Sequence, residues 1–328
     1  MTDIFEKVEN FISENSGNLK VTVKATKNRE KKITFKTRNF KRFLASFEIE
    51  KEEAIKAGSI GYMHRGLTLC SLPYKEVKDT GIYTKIIKDK MEYTKKNGNV
   101  TLRVLSPRDI GVPYGNIPRL IHMHLATEAV KTRSRQIFLG NRLSEFMNRL
   151  GFKMTGGEYG TITRLKDQVQ RMFYSTITLN IETPGCIDGK HLPMMTGIQL
   201  LWNAKDPGKK LLWESSITLE HDYVKDLIEH PVPVDMRAVE ALRGASLDLD
   251  IYYWLTHRMF YLSKPTVISY EQLQLQFGSD YKRIRKFKEK FLIALKNVKS
   301  IWKDLKISDE GDGLKLERSK LLISPRKR

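Results

Sequence analysis

Apolar positions along the 328-residue chain recur at helical and strand spacings in an order that repeats once. In the first copy, Asn116 is placed to cap a helix whose buried face runs through Ile117, Leu120, Ile121, Met123 or His124, Leu125 and Val130. A short strand, Gln136–Leu139, comes next, then a short helix from Asn141 to Leu150 that ends on Gly151. After the loop Thr155–Gly157, Ile162, Leu165, Val169, Met172 and Phe173 fall at spacings of 3, 4, 3 and 1, which predicts one buried face of a helix over 161–175. Thr176–Ile181 alternates as a strand, and Gly197–Trp202 is the expected return strand across a Pro/Gly-rich loop. Upstream, Leu67–Leu72 and Val100–Leu105 are strand-like, the second entered through the turn Asn97–Asn99.

The second copy opens with a strand over Lys210–Ile217, a helix over Asp222–Glu229, a proline-bearing turn at His230–Asp235 and one long helix from Met236 to Leu262. A short strand, Pro265–Ile268, leads to a helix capped by Ser269 and ended by Gly278. Asp280 is then placed to cap a long helix from Tyr281 to about Trp302, with Ile284, Phe287, Phe291, Ala294 or Leu295, and Val298 as its buried stripe. Strand, turn and strand close the copy over Asp304–Leu316. Helix, short strand, short helix, glycine turn, amphipathic helix, hairpin, twice over, predicts an α+β fold of tandem winged-helix (helix-turn-helix) domains. The expected parts are a basic, partly disordered N-terminal arm over 1–57, a first winged-helix domain over 58–209 and a second over 210–328.

Charge gives that pattern a direction. The chain carries 58 Lys+Arg against 38 Asp+Glu, a formal net charge of +20, and 40% hydrophobic residues. Such a surplus repels itself unless a polyanion neutralises it, so nucleic acid is the first partner to expect and an anionic membrane the second. Apolar content near normal with only two cysteines excludes a disordered acidic tail, a collagen and a disulfide scaffold. Cys70 and Cys186 have no CxxC partner and fit reduced thiols. The richest apolar window, Ile251–Leu262, is too short to span a bilayer and holds His257 and Arg258. No signal peptide opens the chain, and a cytoplasmic protein is expected. Between Lys20 and Arg42 ten Lys/Arg face one acid, Glu30, as in an arm that lies along phosphates or stays solvated.

In a winged unit the second helix of the pair enters the major groove. For the helix at 161–175 the outward residues are Thr163, Arg164, Lys166, Gln168, Gln170 and Arg171, with Asp167 among them. Arg and Gln match guanine and adenine edges, and Thr161 and Thr163 near the N-terminus suit a phosphate. An ordinary solvated face also accounts for this set. The later helix is less neutral: Lys282, Arg283, Arg285, Lys286, Lys288 and Lys290 crowd its first turns, where the helix dipole disfavours cations. A polyanion would offset both terms. The hairpins add Lys205, Lys209 and Lys210 in the first domain, Arg318 and Lys320 in the second, as expected of wings on a phosphate backbone.

Three patterns point toward catalysis and fall short. Gly185–His191 resembles a phosphate-binding loop but is one residue short between its glycines and has His191 where Ser or Thr is needed. His122 and His124 could share a metal on a strand, as in a Tyr nuclease or relaxase, but on a helix they lie about 200° apart. Asp248 and Asp250 with Glu240 make a solvated stripe or partners for the basic helices rather than a two-metal site. No enzymatic activity, metal or cofactor is expected.

Taken jointly, several segments resemble plasmid replication initiators of the RepA C-terminal, TrfA-like family. They are Gly61–Met63, Tyr93–Gly98 with Thr101 and Leu102, Gly111–Gly115, Pro118–Leu120, Thr127–Val130 and Ile137–Gly140. Leu143–Met147 with Leu150 and Gly151, Thr155–Gly157, Gly160–Leu165, Asp167 with Gln168, and Arg171–Phe173 complete the set. The resemblance covers about residues 58–298. It implies a protein that binds double-stranded DNA at repeated origin sites (iterons), opens the adjacent region, recruits host DnaA and the replicative helicase, interconverts between monomer and dimer, and represses its own gene. It also implies that Gly160–Arg171 and Asp280–Lys290 are the two groove helices. A nuclease of rolling-circle replication and a winged-helix transcriptional regulator are the alternatives.

Overall fold

The computed structural model describes residues 21–25, 31–35, 38–77, 83–183, 189–202, 206–210, 214–278 and 283–323. The expectations for Asp280, Tyr281, Lys282, Lys205 and Cys186 lie outside them, as does most of the 1–37 segment. Helices and antiparallel sheets alternate along the chain, and one contiguous apolar core runs through them.

The repeated order is present in the backbone. The first unit runs α3 (Asn116–Thr132), β7 (Gln136–Gly140), α4 (Leu143–Arg149), α5 (Thr161–Tyr174), and then β10 (Met195–Gln199) and β11 (Ser215–Leu219). The second runs α8 (Ser246–Tyr261), β13 (Thr266–Ser269), α9 (Tyr270–Phe277), α10 (Ile284–Lys299), β14 (Ile307–Asp309) and β15 (Gly313–Leu316). In both, the last strand pairs antiparallel with the first and with the middle one: β7 and β10 flank β11, and β13 and β14 flank β15.

The first unit departs from the expected hairpin. Between α5 and β10 the chain makes β8 (Thr176–Glu182) and β9 (Gly189–Pro193), which pair with each other. They complete a five-stranded sheet with β4 (Thr84–Ile87), β5 (Lys90–Asn97) and β6 (Val100–Pro107). The return strand of β8 is therefore β9, not 197–202, because Leu179 and Leu192 face the same core across the register. The boundary expected between 209 and 210 separates strands that join sheets: β11 pairs with β7, and β12 (Pro231–Asp235) pairs with β3 (Ile60–His64).

Other expectations are corrected by local chemistry. Leu67–Leu72 is not a strand: α2 (Arg65–Leu69) forms because the His64 Nδ1 accepts from the Gly66 N–H at 3.1 Å and caps it. The proline turn at 230–235 is strand β12. Pro231 and Pro233 occupy alternate positions facing away from β3, on the side where the Asp235 N–H donates to the Tyr252 Oη at 2.8 Å, so no ladder bond is lost. The single helix over 236–262 is two, α7 (Met236–Leu242) and α8. The Arg243 carbonyl accepts from Asn116 Nδ2 at 2.6 Å, and a Cβ on Gly244 would stand 2.9 Å from Arg38 Nε, so the break admits both neighbours. Asn116 is consequently spent on that carbonyl and does not cap α3, whose N-cap is Gly115. Within the segment expected as an arm, α1 (Arg38–Lys51) is a helix with Arg42, Ala45 and Ser46 buried.

Buried charges tie the units together. The Arg119 guanidinium, on α3, donates to both carboxylate oxygens of Asp250, on α8, at 2.7 and 2.8 Å, and to the carbonyls of Leu72, Pro73 and Gly115. Asp248 accepts from Arg42 at 3.0 Å and from Asn297 at 2.9 Å, joining α8 to α1 and α10. Lys95 Nζ donates to the Gly278 carbonyl at 2.9 Å, and burial pulls its ammonium down to about 8. Of the acidic series only Glu240 is solvated: Asp248 and Asp250 are buried partners of Arg42 and Arg119.

Candidate nucleic-acid interface

Helix α5 begins where the preceding loop is folded back on it. Thr161 Oγ1 donates to the Lys153 carbonyl at 2.6 Å and accepts from the Thr155 N–H at 2.9 Å. Thr163 Oγ1 donates to the Gly157 carbonyl at 2.8 Å. A Cβ on Gly160 would fall 2.3 Å from the Thr155 carbonyl oxygen, so the bracket admits only glycine there. Thr161 and Thr163 hence hold the loop; as hydroxyl donors they are already in use.

Of the remaining α5 candidates, Arg164, Lys166 and Gln170 are exposed. Gln168 is not: it is buried, its Oε1 accepts from the Tyr114 N–H at 2.8 Å and its Nε2 donates to Asp167. The outward placement of Gln168 is corrected, since its position lies beside Leu165 and Met172 on the inner face. Arg171 pairs with Asp167 at 3.0 Å and Glu76 at 2.6 Å and lies over the Tyr114 ring. Phe173, assigned to the core stripe, is 42% exposed instead. It shares a groove with Val169, Ile198 and Trp202.

Helix α10 buries Phe287, Phe291, Ala294, Leu295 and Val298 as the periodicity predicts, whereas Ile284 is largely outside the core. Arg283 is the N-cap, in an extended conformation with no side-chain cap bond. Arg283, Arg285, Lys286 and Lys290 are exposed. Glu289 lies 4.0 Å from Lys286 and 3.7 Å from Lys290. Lys288 is used differently. Its Nζ donates to the Gly311 carbonyl, pairs with Asp309 at 3.1 Å and sits 4.4 Å over the Tyr270 ring, fastening the β14–β15 turn to α10.

Lys209 and Lys210 are exposed in the segment between β10 and β11. Arg318 is exposed beyond the end of β15 rather than at the turn, and the turn itself carries Asp309, Glu310 and Asp312. The sequence reading did not single out Tyr159, 86% exposed in the loop that leads into α5; the flanking Gly157 and Gly160 were its signal. His122 and His124 lie on α3, both buried; burial, with Arg119 and His64 nearby, pushes His122 down to about 3. Lys190, at the end of the phosphate-loop-like segment, is committed to Asp226 at 2.9 Å. Burial opposes ionisation of Asp226, but hydrogen bonds from His64, Arg65 and Lys190 hold it well below the usual carboxylate range. Among the described residues no cluster of three or more His, Cys, Asp or Glu is arranged to hold a metal ion, and no helix is long and apolar enough to cross a membrane.

Fold and faces together define a mixed α/β protein of two helix-and-hairpin units with exposed basic helix faces. Residues 112–272 match the family model described as plasmid encoded RepA protein, and that match places the segment in this family of plasmid replication initiators. The matched stretch holds the whole first unit and the second as far as α9. Two crystal structures of domains 2 and 3 of RctB are similar over 77% and 76% of this chain and 95% and 94% of theirs, at 11% identity, with TM-scores of 0.45 and 0.43. No curated protein matches the chain.

Proposed function

We propose that the protein initiates plasmid replication by sequence-specific binding of double-stranded DNA at repeated origin sites through two winged-helix units. In this reading α5 and α10 enter successive major grooves. Lys166 and Gln170 meet base edges from α5, and Arg283, Arg285, Lys286 and Lys290 hold phosphates and edges from α10. The single observation that carries the reading is the family match over 112–272, on a chain of net charge +20 with a group of exposed cations at the start of α10. The duplicated strand order supports it, since a hairpin beside each groove helix is what a wing requires.

The reading extends to opening of an adjacent AT-rich region, recruitment of host DnaA and the replicative helicase, a monomer–dimer equilibrium, repression of the protein's own gene and a cytoplasmic site of action. It involves no catalysis by this chain and no cofactor. Footprinting on the DNA that flanks the gene tests it: protected repeats are expected, and uniform weak protection would overturn sequence-specific binding. A plasmid carrying only this gene and its flanking DNA is expected to replicate, whereas a transcriptional regulator on the same fold would protect DNA without supporting replication.

A further inference from the structure

A cleft of about 500 Å³ lies where the two units meet, and its walls come from α1, the start of α3, α5 and the break before α8. Three guanidinium-bearing side chains line it: Arg38, Arg164 and Arg243. Arg38 and Arg164 are exposed and make no close ion pair among the described residues, Arg38 feeling only the charge of buried Asp248, and Arg243 has only Glu240 at 3.7 Å, itself on the surface. The one acid on the walls, Asp167, is occupied by Arg171 and by Gln168. A concave site lined by one sign of charge focuses its potential, and planar guanidinium forks match phosphate oxygens. Helices α3 and α8 also start on this wall, and neither N-cap makes a side-chain cap bond.

We propose that this cleft is a phosphate site, held by Arg38, Arg164 and Arg243. Two sources carry that chemistry: a backbone phosphate of duplex DNA passing between the units, and a free nucleotide or pyrophosphate. The first rests on the proposed DNA binding; the second does not.

The test titrates inorganic pyrophosphate into the full chain at fixed ionic strength and follows thermal melting, then measures the salt dependence of duplex binding. Arg38→Gln and Arg164→Gln, singly and together, are compared with Lys85→Gln, an equal loss of charge on the distant strand β4. A DNA phosphate in the cleft lowers the slope of log K against log[salt] in the double variant, by up to about 0.9 in total, and leaves the Lys85→Gln slope at the parent value. A free phosphate ligand raises the melting temperature saturably in the parent and in Lys85→Gln but not in the double variant, with slopes unchanged. Unaltered slopes, combined with a pyrophosphate shift that is absent or equal in parent and double variant, overturn the site. A parent that binds no duplex sinks the proposed function and leaves the pyrophosphate arm to decide the cleft.

Discussion

Helix α5 turns Thr163, Arg164, Lys166 and Gln170 outward, and its Arg171 is already paired with Asp167 and Glu76. Helix α10, at the same place in the second unit, turns out Arg283, Arg285, Lys286 and Lys290 with Glu289 as the acid between them. Their hairpins differ in the opposite sense. Lys209 and Lys210 stand in the β10–β11 connection, whereas the β14–β15 turn is acidic and held down by Lys288. The same strand order therefore supports two chemistries: a helix of mixed polar and cationic groups with a basic hairpin, and a more densely cationic helix with an acidic turn. Under the proposed function, the first unit is built more for base edges and the second more for phosphates.

The most severe way to break the comparison is to separate the units. Arg119→Ala leaves Asp250 as an unpaired buried carboxylate and is expected to cost about 3–5 kcal/mol. Urea unfolding checks this, and a loss under about 1 kcal/mol would mean the units stand without the pair. Next in size, Gln170→Ala is expected to relax preference at one base position by about 1–3 kcal/mol while hardly changing salt dependence. Arg283→Ala and Lys286→Ala should do the reverse, each lowering the salt slope by about 1 and weakening all sequences alike. Binding to permuted sites over a salt series decides, and identical behaviour of the two helices would erase the distinction.

Smaller effects sharpen it. Thr161→Val removes the hydroxyl's bonds to the Lys153 carbonyl, the Thr155 N–H and the Thr155 hydroxyl and is expected to cost about 1 kcal/mol in thermal melts, since the site is exposed. Asp248, which ties α10 to α8 and α1, has its carboxyl raised to about 6 by burial, against the pull of Arg42 and Asn297. Its folded form holds the proton more tightly than the unfolded chain, so its contribution to stability is greatest below about pH 4 and declines as pH rises to about 6. Relative to Asp248→Asn, the parent should lose stability over that window in urea titrations. Parallel curves would show that the carboxylate is ionised throughout.

Much of this was legible in the sequence. The inner stripes of α5 and α10 were visible because helical periodicity records burial directly, and the Ser269–Gln272 capping box and the turn at 97–99 announce themselves in local chemistry. What escaped was fixed by distant groups. Gln168 sits at a position polar enough to look solvated, and only the Tyr114 N–H, 54 residues away, draws it inward. The break at Gly244 depends on Asn116 and Arg38, and β12 depends on β3 across more than 160 residues. The acidic turn of the second hairpin, Asp309, Glu310 and Asp312, stands in the sequence beside the basic residues Arg318 and Lys320.

The junction has a consequence for how the molecule is made. Arg119 and Asp250 are 131 residues apart, and the acceptors that complete the guanidinium's set come earlier, at 72, 73 and 115. At a synthesis rate of about 5–20 residues per second, Arg119 waits roughly 7–26 seconds on the ribosome for its carboxylate. Throughout that interval the first unit carries an uncompensated cation at its future seam. The seam closes late, only once Asp250, at position 250 of 328, has been made, and until then the α3 side of that contact stays open.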